Sequence, residues 1–230
     1  MFGIFKKKKA AKSIKKDEAE HTDVDGFNSP TWYPIGEGNP FNERILDIRC
    51  VTLNLVSTTK DQSVAENFNI SRSDDGQQYI DQDIPNGKQF SSNIRYPHNG
   101  EELEGVVFKA ESMDVKWDIY AYGEWFYFVR SWTSDLVYKV HYQNTGAELV
   151  LDSIVTNLEA EDNSTVHEQN IHSMMLTHVF GRVWPYNIPK EFESVSEQAI
   201  ALYLFSQFGC KATIATSANT LEIKNLGVER

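Results

Sequence analysis

Hydrophobic and polar positions alternate most clearly between Gly105 and Leu158. The alternation predicts strands over Gly105–Ala110, Val115–Ala121, Trp125–Trp132, Asp135–Tyr142 and Ala147–Leu158. Tyr122-Gly123-Glu124, Thr133-Ser134 and Asn144-Thr145-Gly146 separate the last four. Connections this short force antiparallel hairpins, because parallel crossovers need a dozen or more residues. Upstream, Arg44 to Val56 reads as a first strand rich in Ile, Leu and Val. Asp61 to Arg72 reads as a short helix, with Val64 and Phe68 four apart and Gly76 beyond its end. Residues 73–104 are polar and read as loops around brief extended pieces.

Two helices follow the strands. Thr165 with Glu168 and Ser194 with Glu197 have capping-box spacing. The first helix is expected to run to Phe180 before Gly181, and the second from Val195 to Phe208 before Gly209. Lys211–Thr216 with Thr220–Lys224 reads as a small terminal hairpin. The predicted fold is therefore α+β: an antiparallel β-meander sheet packed by two C-terminal helices, with a small terminal β-hairpin.

Turn lengths set the expected register. A three-residue turn at Tyr122-Gly123-Glu124 puts Ala121 opposite Trp125, Ile119 opposite Tyr127 and Trp117 opposite Val129. A two-residue turn at Thr133-Ser134 puts Val129 opposite Tyr138 and Tyr127 opposite Val140. Strand side chains alternate, so these residues share one apolar and aromatic face, the expected core. The other face then carries Lys116, Asp118, Phe126, Phe128, Arg130, Trp132, Lys139 and His141. Lys116 would lie across from Arg130, a like-charge pair that Asp118 could balance. Either helices cover this face and its charges form a structural network, or it is a recognition platform. In the second case Arg130, Lys139, His141, Asp118 and Trp132 are the candidate ligand-binding residues. Arg130 would hold a planar anion and Trp132 would stack on a ring.

Charge changes the picture at the N-terminus. The 230 residues carry a net charge of −11, yet residues 1–16 hold seven Lys and no acid. Residues 17–230 therefore carry −18. Residues 1–38 read as a flexible leader, basic and then acidic, ahead of a single domain over 39–230. Phe2, Ile4 and Phe5 beside Lys6, Lys7, Lys8 and Lys9 make a weak peripheral contact with an anionic membrane a candidate role for the leader. No secretory signal pattern is visible, and the two cysteines Cys50 and Cys210 suit a reducing cytoplasm. The acidic body repels nucleic-acid phosphates and suits a basic protein partner.

Tests for chemistry reject most motifs. His167 and His172 are five apart, which turns them about 140° from each other on a helix, so no helical metal pair forms. The cysteines lie in no paired metal spacing, and no phosphate-binding or dinucleotide-binding glycine loop occurs. No catalytic residue, metal or cofactor is assigned.

Several stretches carry a resemblance: Asn42-Glu43-Arg44-Ile45-Leu46-Asp47-Ile48-Arg49, Ser57-Thr58-Thr59, Tyr96-Pro97-His98-Asn99-Gly100, Phe108-Lys109-Ala110-Glu111, Lys116-Trp117-Asp118-Ile119-Tyr120 and Arg130-Ser131-Trp132-Thr133. Over about residues 39–215 the chain resembles uncharacterised bacterial proteins with an Arg-Ser-Trp-Thr-Gly hairpin. The resemblance implies a shared architecture and no catalytic role. Ser134 stands where that hairpin has Gly. The expectation for function is a non-enzymatic bacterial cytoplasmic protein that binds another protein, in a toxin-neutralising (immunity-like) or accessory role. The alternatives are a small anionic-ligand or enzymatic site on the mixed face, and membrane association through the leader.

Overall fold

The computed structural model describes residues 29–36, 38–158, 164–192 and 194–227. Strand β1 (Thr31–Tyr33), within the stretch read as leader, pairs antiparallel with β2 (Ile45–Asp47). The strand expected over Arg44–Val56 stops there, and α1 (Arg49–Thr52) follows. Asp47 Oδ1 accepts the Arg49 N–H at 3.0 Å and turns the chain. Ile48, Val51 and Thr52, all buried, have helical spacing that the apolar density of the segment disguises.

Helix α2 (Gln62–Ser71) is capped by Asp61, whose side chain accepts from Ser63 N–H. A 3-10 turn follows at Gln77–Tyr79. Six strands then form one antiparallel sheet: β3 (Lys88–Pro97), β4 (Gly105–Phe108), β5 (Trp117–Tyr122), β6 (Trp125–Arg130), β7 (Leu136–Asn144) and β8 (Glu148–Thr156). Their order is β3-β8-β7-β6-β5-β4. Strand β3 lies in the polar stretch read as loops. Its inward residues Phe90, Ser92, Ile94 and Tyr96 alternate with exposed Gln89, Ser91, Asn93 and Arg95.

Helix α3 (Ser164–Met174) continues as a π-helical segment, Met175–Val179, and stops before Gly181, which has φ +61°. Helix α4 (Glu197–Phe208) starts later than its expected cap. Ser196, rather than Ser194, accepts from Ala199 N–H at 3.3 Å. It ends at Gly209, whose φ is +68°; a Cβ there would stand 1.9 Å from the Asp114 carbonyl oxygen. That close approach lets Cys210 N–H donate to Asp114 O at 2.9 Å and fixes α4 to the sheet.

Strands β9 (Tyr186–Asn187) and β10 (Ile214–Thr216) complete a second sheet of order β1-β2-β10-β9. The expected terminal hairpin is replaced by long-range pairing: β10 lies between β2, antiparallel, and β9, parallel. The fold is α+β with antiparallel sheets and a few helices. The main core fills the space between the six-stranded sheet and a layer made of α3, α4 and the small sheet. Ile119, Phe126, Phe128, Val140 and Ile154 meet Ile171, Met174, Leu204 and Leu46 there. A second, smaller core lies on the opposite face, where Tyr79 packs on Tyr120, Tyr122, Tyr127 and Val129.

Candidate functional site

The β5–β6 hairpin decides which side chains are available. Tyr122 pairs with Trp125, so the turn is Gly123-Glu124, two residues and not three. Gly123 has φ +58° while Glu124 stays at negative φ, the pattern of a two-residue turn with glycine at its first central position. One residue of difference inverts β6. Phe126, Phe128 and Arg130 share the helix-covered face with Trp117, Ile119, Ala121, Tyr138 and Val140. Trp125, Tyr127 and Val129, expected inside that core, occupy the opposite face. A bulge between Phe128 and Val129 corrects the second hairpin as well, pairing Phe128 with Tyr138 and Val129 with Leu136. Ser134 takes φ +60°, the conformation for which glycine is suited, and its hydroxyl accepts from Asn67 at 3.1 Å.

The five residues expected to bind a ligand are not brought together. Arg130 faces α4, donating to Gln207 O at 2.7 Å and Ser206 O at 3.1 Å, with its guanidinium 4.8 Å from the Trp117 ring centre. It satisfies the unpaired carbonyls of a helix C-terminus and completes the negative end of that helix dipole. Trp117 Nε1–H also donates to Gln207 O, at 2.8 Å. Arg130→Met is expected to lower stability by about 2 kcal/mol in urea titration, since both charged hydrogen bonds go. An unchanged midpoint would contradict the capping role.

Asp118 lies on the opposite face and is buried. It accepts from Arg72 at 2.9 Å and from Ala110 N–H at 2.8 Å, with Lys109 Nζ at 3.4 Å. Its countercharges come from α2's C-terminal end and from the residue after β4, not from Arg130. Trp132 lies in the β6–β7 connection, where its Nε1–H donates to Met113 O at 2.7 Å. Lys116 does not face Arg130 across the ladder, because Trp117 takes that place.

Lys139 and His141 do lie together, on the open half of the sheet. His141 Nδ1 is 2.7 Å from Asp152 Oδ1, and Nε2 is 3.5 Å from Glu124 Oε2. Gln143 Nε2 donates to the other Asp152 oxygen at 2.7 Å, and Gln89 Nε2 donates to Ser153 Oγ at 2.8 Å. The Trp125 ring meets His141 edge-on at 5.0 Å, and Lys139 Nζ stands 5.0 Å above it. Lys139 is also 3.9 Å from the fully exposed Asp83. Gln89, Trp125, His141, Asp152 and Ser153 line a shallow hollow of about 400 Å³.

Acidic groups crowd the same end. Asp75 and Glu104 act on the Tyr122 phenol, and Glu102, Glu124 and Glu104 act on that of Tyr142. Burial is the larger cause in both, and all of these raise the phenol pKa. Tyr142 OH donates to Gly123 O at 2.8 Å, so residues around Leu103 and the hairpin tip are held as one unit.

Trp125, Glu124 and Asp152 are the members that sequence reasoning missed. Trp125 was hidden by the inverted register. Asp152 had a legible signal, a lone carboxylate inside the apolar run Leu149 to Val155. Among the described residues, no group of three or more His, Cys, Asp and Glu side chains is placed to hold a metal ion. No described helix is long and apolar enough to cross a membrane. Phe2, Ile4, Phe5 and Lys6 to Lys9 lie outside the described residues. Comparison with protein-family models, with curated proteins and with solved structures finds no match to this chain.

Proposed function

We propose that this chain is a protein-binding protein whose partner presents a basic surface to the Trp125 end of the large sheet. The observation that carries this reading is a half-buried tryptophan with carboxylates around it. Glu124 and Asp152 flank His141 beside the ring, and Asp83 lies beyond Lys139. Aromatic anchors with a polar rim are the usual centre of a protein interface, and an Arg or Lys of a partner gains from the carboxylates. The body's net charge would also speed encounter with such a partner. A toxin-neutralising role is the form this takes when the partner is a basic toxin.

Electrostatics favours this over an anionic ligand at Lys139 and His141. Lys139 already meets Asp83 and two aromatic rings, and an anion entering the hollow would face Asp152 and Glu124.

Titration of the full chain with a fluorescent Arg- and Lys-rich peptide tests the proposal. Trp125→Ala is expected to weaken binding about tenfold, matching a modest anchor of 1–2 kcal/mol. Glu124→Lys with Asp152→Lys should weaken it further and flatten the salt dependence. Charge reversal at Glu222, in the C-terminal segment, should leave affinity within about twofold, as expected of a charge outside the interface. Equal loss from Glu222 and from Trp125 would reduce the binding to net charge and sink the assigned surface.

A further inference from the structure

The loop between α1 and α2 brings a serine against a buried lysine. Lys116 Nζ lies 2.6 Å from Ser57 Oγ and 2.8 Å from Met113 O. The Trp132 ring centre is 4.2 Å from the amine, and that of Phe205 on α4 is 5.0 Å away. Lys116 is 7% exposed, whereas Ser57 is half-buried and its neighbour Val56 is 76% exposed. The serine therefore sits at the rim and the amine behind it. Ser57 N–H donates to the Asp114 carboxylate, which holds the loop over the amine. The charged or titratable groups acting on Lys116 are Arg130 from β6, Asp114, and Cys210 just past α4.

We propose that Ser57 and Lys116 form a serine–lysine dyad that cleaves carboxylic esters, with Ser57 Oγ as nucleophile and Lys116 Nζ as its base. A serine hydroxyl is a weak nucleophile until an adjacent base takes its proton. A neutral lysine in this position has the right valences. One N–H donates to Met113 O, and the lone pair accepts the Ser57 O–H. Burial first, and Arg130 second, lower the Lys116 pKa to about 8, against smaller opposing effects of Asp114 and Cys210. About a tenth of the amine is then free base at pH 7.

The reaction balances with these two groups and water. Ser57 Oγ bonds to the ester carbonyl carbon as its proton passes to Nζ. The bond to the alcohol oxygen breaks, and that oxygen leaves with the proton from Nζ. Water then attacks the acyl-serine carbonyl, giving a proton to Nζ. The acyl–Oγ bond breaks, Ser57 recovers that proton, and a carboxylic acid departs.

The test treats the full chain with a tagged fluorophosphonate and with p-nitrophenyl butyrate between pH 6.5 and 9.5. The expected result is one label per chain, located on Ser57 by peptide mass spectrometry, and a rate that rises through about pH 8 and levels off. Ser57→Ala should lower both signals at least about a hundredfold, the usual scale of an assisted nucleophile. Lys116→Arg, which keeps a cation but accepts no proton, should do the same while circular dichroism shows it folded. If that variant does not fold, the wild-type pH profile decides alone. Absent labelling of Ser57, equal labelling of Ser57→Ala, or a rate that climbs with hydroxide without levelling overturns the dyad.

Discussion

Lowering the pH from 7.5 to 4.5 is expected to remove about 5 kcal/mol of folding stability through two histidines, His178, which is buried, and His172, which is half-buried. Burial lowers the pKa of His172 to about 4 and, with Lys211 adding to it, that of His178 to about 3. His167 is shifted in the same direction by burial. Thr177 Oγ1 fixes the tautomer of His178. It donates to Ser173 O at 2.7 Å, so it accepts from His178 Nδ1–H at 2.9 Å and from Tyr186 OH at 2.6 Å. Nε2 is then a bare lone pair, buried without a partner among the described residues. His172 Nδ1 sits 2.9 Å from Tyr96 OH, and its ring lies against Trp184.

The unfolded chain takes up these protons near pH 6.5, whereas the folded chain refuses them until about pH 4 or below. Stability from both groups is thus complete above pH 6.5 and falls as the pH drops towards the folded values. Each group contributes roughly 1.4 kcal/mol per pH unit across that window. Urea midpoints at half-unit steps of pH would show the decline, and His178→Leu should roughly halve its slope. A flat profile between pH 6.5 and 4.5 would mean that these imidazoles are not held neutral by the fold.

Replacing Asp118 with Asn is expected to cost about 3 kcal/mol, the second large effect. The carboxylate is 2% exposed, while Arg72 and Lys109 are 23% and 19% exposed. Removing the charge leaves two cations facing each other across a site that water reaches poorly, which costs more than the pair itself contributes. The partial exposure of both cations keeps the figure at the lower end. Arg72→Met should be less harmful in the Asp118→Asn background than alone, because the repulsion is then relieved. Additive losses in a double-mutant cycle, or a single loss below about 1 kcal/mol, would show that the network holds nothing. The network matters for the proposed binding surface. It pins the end of α2 and the following turn over Tyr120 and Tyr127, which closes one half of that face and leaves the Trp125 half open.

Much of the fold was legible. The five strands from Gly105 to Thr156 and the three main helices follow from alternation, apolar spacing and terminal glycines, although the caps expected at Thr165 and Ser194 are not the ones used. These signals are local, because a strand's pleat or a helix cap depends on residues within a few positions. Two elements were obscured by their own composition. α1 hides in a run so apolar that helical spacing cannot be told from a strand, and β3 carries Ser92 at an inward position that dilutes its pattern. The candidate site was legible only in part. Lys139 and His141 share one face as the strand alternation implied, while Arg130 went to a helix end and Asp118 to an ion network.

The chain alone determined the element types of the meander and of the three longer helices, the antiparallel order of the meander, the acidic body and the side-chain classes available for recognition. Tertiary structure decided which of them meet. Whether the turn at Gly123 holds two residues or three is a small local difference in energy, yet it sends every β6 side chain to one face or the other. That choice is made by packing, since Phe126 and Phe128 fill the space under the helices while Trp125 is left at the surface. The approach of Ser57 to Lys116, 59 positions away, is likewise invisible to any local pattern. Such contacts arise only when the α1–α2 loop and the start of β5 are folded against each other.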